Sequence, residues 1–127
     1  MSGRRLDGLT ASHGLTLRAH VSIESGDGRV VIDEAVAELL RAVGESGSLV
    51  AAARTLGIPH RTAWKRMQLV EAGLGIKLVE TRSGGVAGGY SRLTPRAQDL
   101  LKRYWSACAG LDDLVGERWS ADGCLAP

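Results

Sequence analysis

The sequence predicts a mainly helical domain with small β hairpins, and three observations carry that prediction. Four segments between residues 33 and 115 carry helical signals in apolar spacing, caps or stops. A strict two-residue alternation of apolar and polar side chains precedes them at residues 15–24. Two strand-like segments, IKLVETR and YSRL, flank the glycine-rich stretch SGGVAGG. With 127 residues there is room for one ordinary domain and a single small core. That domain is expected over residues 15–115, between a polar tail at 1–14 and a second tail at 116–127.

Each element follows from its residues. In LTLRAHVSIE, Leu15, Leu17, Ala19, Val21 and Ile23 fall on one face and Thr16, Arg18, His20, Ser22 and Glu24 on the other, the pattern of a half-buried strand. SGDG supplies a turn, and RVVI is a short returning strand, which makes an N-terminal hairpin. Asp33 is an N-cap for a first helix ending near Glu45, with Val36, Leu39, Leu40 and Val43 at helical spacing and Glu34 and Glu38 near its positive end. Ser48 caps a short second helix, LVAAARTL, whose alanines allow close approach to a neighbour and which Gly57 stops.

A third helix begins near Pro59 and runs to about Gly73. On a helical wheel Ala63, Met67, Val70 and Leu74 point to a core, while Arg61, Lys65, Gln68 and Ala72 point away from it. Trp64 lies between the two faces, where an aromatic is expected to pack, here against the first strand or the wing. Thr94-Pro95 opens a long C-terminal helix over about 94–115, in which Leu100, Tyr104, Ala107, Leu111 and Leu114 step by 4, 3, 4 and 3. Gly110 is a weak point in that helix.

Charge and composition narrow the function. The net charge of +2 conceals a basic centre: residues 54–103 hold ten Lys/Arg against three Asp/Glu, a balance of +7 between flanks of −2 and −3. Such a segment suits a polyanion. No apolar run approaches the roughly 18 residues of a membrane span, and the N-terminus lacks a signal-peptide core, so a soluble cytoplasmic protein is expected. The two cysteines, Cys108 and Cys124, form neither a disulfide framework nor a metal site, and Cys108 is expected to be packed. No nucleophile and base stand at a recognisable spacing, and GGVAGG lacks the Lys-Ser/Thr of a phosphate-cradling loop. An enzyme is therefore not expected, nor is a cofactor.

Two short helices joined by a glycine-containing turn, followed by a hairpin and a long helix, make a winged helix-turn-helix. The residues GSLVAAARTLGIPHRTAWKRMQLVEAGLGIKLVETRSGGVAGGYSRLTPRA resemble the N-terminal DNA-binding domain of the ModE family of prokaryotic molybdate-responsive regulators, related to the LysR-type winged helix. The Ala63-Trp64 dipeptide, the glycine-rich wing and the Leu93-Thr94-Pro95 helix start fall in the family's order, and the resemblance spans residues 15–115. Pro59 stands where that family usually has Ser, and Val86-Ala87 where its wing usually has Lys. The family's molybdate sites lie in further C-terminal domains with no counterpart in this sequence. The resemblance therefore implies DNA binding and leaves oxyanion sensing unassigned.

Residue roles follow from the wheel and the chemistry of DNA. Arg61 and Lys65 are candidates for guanine O6/N7 in the major groove, and Gln68 for adenine. His60 and Thr62, at the helix entry, are as suited to phosphate as to bases, and Arg66 lies off the outward line and suits phosphate. Arg82 and Arg92 flank the wing tip and can follow the backbone or minor groove, and Ser48 caps a helix end that can face a phosphate. A two-fold dimer would double these contacts, and the seam of Leu100, Tyr104, Ala107, Leu111 and Leu114 is the expected dimerisation surface. The competing expectation is a winged helix used for protein contact or nonspecific DNA binding beside a separate effector-sensing protein. The ten cations against three anions argue against pure protein contact.

Overall fold

A computed structural model describes residues 4–5, 17–82 and 89–121. In chain order the elements are β1 (Arg4–Arg5), β2 (Arg18–Ala19), β3 (Ile23–Glu24), β4 (Val30–Ile32), α1 (Glu34–Ser46), α2 (Leu49–Leu56), α3 (His60–Leu74), β5 (Val79–Arg82), β6 (Tyr90–Leu93) and α4 (Pro95–Ala121). Three two-stranded antiparallel sheets accompany the four helices. Among the described residues no helix is long and apolar enough to cross a membrane.

The alternating segment keeps its pattern but divides. Residues 17–25 alternate between half-buried and exposed throughout, yet the ladder is split, because β2 pairs with β1 while β3 pairs with β4. Alternation records which face is covered and carries no information on where the pairing partner changes. Arg4–Arg5 thus belongs to a strand, although it lies in the segment expected to be a loose tail. In the β3–β4 turn Gly28 takes a φ of 86°, and its N–H donates to the carbonyl of Ser25 at 2.9 Å. The Ser25 hydroxyl donates to Asp27 and holds that carboxyl below the usual carboxylate range.

Helix α1 is the centre of the molecule. Asp33 caps it by accepting from the Val36 N–H at 2.9 Å, and its buried stripe of Val36, Leu39, Leu40 and Val43 is covered by α2, α3, β4, β6 and α4. Helix α2 starts on Ser48, whose Oγ accepts from the Ala51 N–H at 3.1 Å, and buries Ala52 and Ala53 almost completely. Gly57 ends it at a φ of 69°, and Ile58 and Pro59 complete a three-residue turn into α3. Ala63, Met67 and Val70 of α3 close the core beside Leu78, which is fully buried.

The wing is fastened at its base. Strands β5 and β6 pair from Val79↔Leu93 to Arg82↔Tyr90, and the Ser91 N–H donates to the carbonyl of Gly47 at 2.8 Å, binding β6 to the end of α1. Gly44 permits that approach, since a Cβ there would lie 3.0 Å from Leu93 Cδ1. The Thr94 hydroxyl donates to the Lys77 carbonyl at 2.8 Å and accepts from the Ala97 N–H at 3.2 Å, so one side chain closes the wing and caps α4. The wing tip with Val86-Ala87, most of the 1–14 segment, Cys124 and the last six residues lie outside the described residues.

Helix α4 runs 27 residues, about 40 Å, without a break at Gly110, and continues through residues 116–121 that the sequence reading placed in a tail. A lone glycine costs a helix about 1 kcal/mol, which the 26 other positions absorb. Its docked stripe is Ala97, Leu101, Tyr104 and Cys108. Tyr104 Oη donates to the Val21 carbonyl at 2.8 Å and so straps the N-terminal segment to α4. The Trp105 ring meets Tyr104 edge-on at 5.0 Å and is covered by the Arg41 guanidinium at 4.1 Å from its centroid.

Candidate nucleic-acid interface

The third helix presents two chemically opposite sides. Ala63, Met67 and Val70 are buried, whereas His60, Arg61, Thr62, Lys65 and Gln68 are exposed and Arg66 is half-buried. The 3.6-residue period places Arg61, Lys65 and Gln68 on one outward strip, with His60 and Thr62 to either side of it at the helix entry. Among the described residues no carboxylate lies within ion-pair distance of Arg61, Lys65, Arg66 or Arg82. Arg61, Lys65 and Arg66 are held out by α3 and Arg82 by the end of β5, unneutralised among the described residues.

Pro59 occupies the N-cap of α3 with φ −63° and ψ 145° and makes no side-chain cap bond. Proline has no hydroxyl or carboxylate to offer the first-turn N–H groups, so that helix end remains positive and open. Ser48, by contrast, is half-buried and occupied as the cap of α2. Its own hydroxyl is committed, and the positive end of α2 lies beside it.

The brace between α3 and the wing has no local sequence signal. Glu71 Oε2 accepts from the N–H groups of Leu78 at 2.7 Å and Val79 at 3.0 Å, and Oε1 lies 3.8 Å from Lys77 Nζ. A carboxylate receiving two backbone donors fixes where β5 leaves the helix, and hence the angle between α3 and the hairpin. On the hairpin, Arg82 is exposed at the end of β5. Arg92 is also exposed but folds over Tyr90, donating to its hydroxyl at 3.1 Å with the guanidinium 5.2 Å from the ring centroid. Arg82 and Arg92 therefore sit on the same hairpin as different groups, one unengaged and one prearranged on an aromatic.

Trp64 departs from expectation. It is 51% exposed and is not one of the buried residues of the core cluster. Ala63 and Met67 fill the core, and both lie to the same side of Trp64 on the wheel, which leaves the indole at the edge of the buried face.

The five seam residues of α4 are not equivalent. Leu100 and Leu111 are half-buried, Ala107 and Leu114 are exposed, the latter by 52%, and Tyr104 is 3% exposed within the chain's own fold. The docked stripe and the seam are neighbouring rows that share Tyr104, and Leu100 of the seam also packs against the core.

Residues 36–98, which run from α1 through α2, α3 and the wing to the first turn of α4, match the family model of the bacterial regulatory helix-turn-helix proteins of the lysR family. The chain carries a lysR-type helix-turn-helix domain. In this domain α3 is the second helix of the motif and β5–β6 its wing. The chain is 38% identical over 77 residues to the molybdenum-pterin-binding protein MopB of Rhodobacter capsulatus, a match that covers 61% of this chain and 28% of that protein. It is 37% identical over 70 residues to the molybdenum transport protein ModE of Herbaspirillum seropedicae, covering 55% of this chain and 26% of that one. The matched stretch thus spans about a quarter of each of these relatives. The fold is similar to that of CbnR_DBD in its crystalline complex with DNA, with a TM-score of 0.50 and 28% identity over 68% of this chain and 92% of the other. The family, the ModE-like relatives and the fold bear out the resemblance read from the wing and from Ala63-Trp64.

Proposed function

We propose that this chain is a sequence-specific double-stranded DNA-binding regulator of transcription that acts as a homodimer. The observation that carries the reading is the outward strip of α3, where Arg61, Lys65 and Gln68 are exposed and unneutralised on the second helix of the motif. Arg61 and Lys65 donate to guanine O6/N7 and Gln68 pairs with adenine as the first turns enter the major groove. His60, Thr62 and Arg66 contact the flanking phosphates, helped by the open positive end behind Pro59. The wing brings Arg82 and Arg92 to the backbone or the adjoining minor groove, and the α2 end at Ser48 faces a phosphate.

The homodimer reading rests on α4. Its core residues end at Cys108, and beyond them Leu111, Leu114 and Val115 continue an apolar row that the body of the domain leaves partly open. A second copy covering that row, with Leu100 and Ala107 beside it, would set two α3 helices against successive half-sites roughly 34 Å apart. The test is selection of binding sites from genomic fragments by purified protein, followed by a salt titration. An enriched sequence whose affinity falls steeply with salt is the expected result, and binding indifferent to both sequence and salt would defeat the proposal.

A further inference from the structure

We infer that Trp64 reads the 5-methyl group of a thymine in the major groove, which makes it a specificity-determining residue; this rests on the DNA-binding reading above. Three tryptophans occur in the chain, and the fold uses one of the other two visibly: Trp105 is packed on the core cluster and stacked by Tyr104 and Arg41. Trp64 has no such ring or cation partner among the described residues. It stands 51% exposed on the helix that also holds out Arg61, Lys65 and Gln68.

Its place on the helix limits what it can touch. Gln68 lies one turn further along and Arg61 nearly one turn before it, so along the helix axis the indole falls between the two side chains best placed for base edges, offset from them toward one flank. Glu71, on the same flank another turn on, is tied to the wing base, which puts Trp64 on the wing side of α3. A helix seated in the groove by Arg61 and Gln68 therefore carries the indole face against the base edges beside them. An indole offers a broad apolar face and a single N–H donor. Among base edges in the major groove the only apolar group is the thymine methyl. The remaining cationic side chains of the strip supply phosphate contacts without it.

The test uses the full chain and the site recovered by selection. Each thymine of one half-site is replaced in turn by deoxyuridine, which removes the methyl and nothing else, and affinity is measured for wild type, Trp64→Ala and Trp64→Phe. The expected result is one thymine at which loss of the methyl weakens wild-type binding by about 3- to 10-fold, the scale of one buried methyl group, and leaves Trp64→Ala unaffected, with Trp64→Phe intermediate. Equal weakening of the operator and random DNA by Trp64→Ala, with no methyl coupling, would place the indole on the sugar-phosphate backbone and overturn the inference alone. No enriched site for the wild type would overturn the DNA-reading proposal itself and this inference with it. Because Trp64 lies outside the core, the variants are expected to keep the wild-type melting temperature, which separates a lost contact from a lost fold.

Discussion

Arg61 and Arg82 are both exposed arginines without an ion-pair partner, yet their places give them different work. Arg61→Ala is expected to cost about 1–3 kcal/mol of specific binding and to relax preference at one base pair, while Arg82→Ala weakens all sequences alike and lowers the salt slope by about one. Affinities of both variants for selected and random DNA check the division. Glu71 acts through structure: Glu71→Ala leaves the N–H groups of Leu78 and Val79 without their acceptor and should destabilise the domain by about 2–4 kcal/mol, read from denaturant midpoints. The strip of α3 was legible in the sequence because a 3.6-residue period sorts core from surface without knowledge of neighbours. Glu71 and Trp64 were not, since the brace joins residues seven and eight apart across a turn and the exposure of an indole between two faces depends on what the rest of the fold places beside it.

Among the elements, caps and stops were the most readable features: Asp33, Ser48, Gly57 and Thr94 all perform the local tasks their chemistry fits them for. The first strand and the last helix were less so. Pairing partners decide where β2 ends and β3 begins, and the cost of Gly110 is small beside the rest of a 27-residue helix docked on α1 and the N-terminal segment. Gly110 is exposed, and a Cβ added there would meet nothing within 4 Å. Gly110→Ala is therefore expected to stabilise the protein by about 0.5–1 kcal/mol, visible as a rise of a few degrees in melting temperature without change in DNA affinity. Gly57→Ala, at a φ of 69° in the turn that sets the α2–α3 angle, should instead lower both stability, by about 1 kcal/mol, and affinity.

For the molecule as a whole, the asymmetry of charge decides more than its total. The +7 segment carries α3 and the wing, while the acidic flanks lie on either side of it in the chain, so the charge that suits a polyanion is concentrated in the segment that holds the helix-turn-helix. The seam on α4 shows how a periodic row can be read correctly as apolar and still be divided by the fold, with Tyr104 turned to the chain's own strap and Leu114 left outside. Leu114→Glu is accordingly expected to shift the mass in solution from twice 13.4 kDa toward 13.4 kDa and to reduce affinity for a paired site far more than for a single half-site. The central claim, that α3 reads sequence from two copies of this chain, is tested most directly by selecting genomic fragments at near-physiological salt while weighing the complexes formed. An enriched inverted repeat bound by two chains is the predicted result. Complexes of undefined stoichiometry with no common sequence, lost together as salt rises, would contradict it.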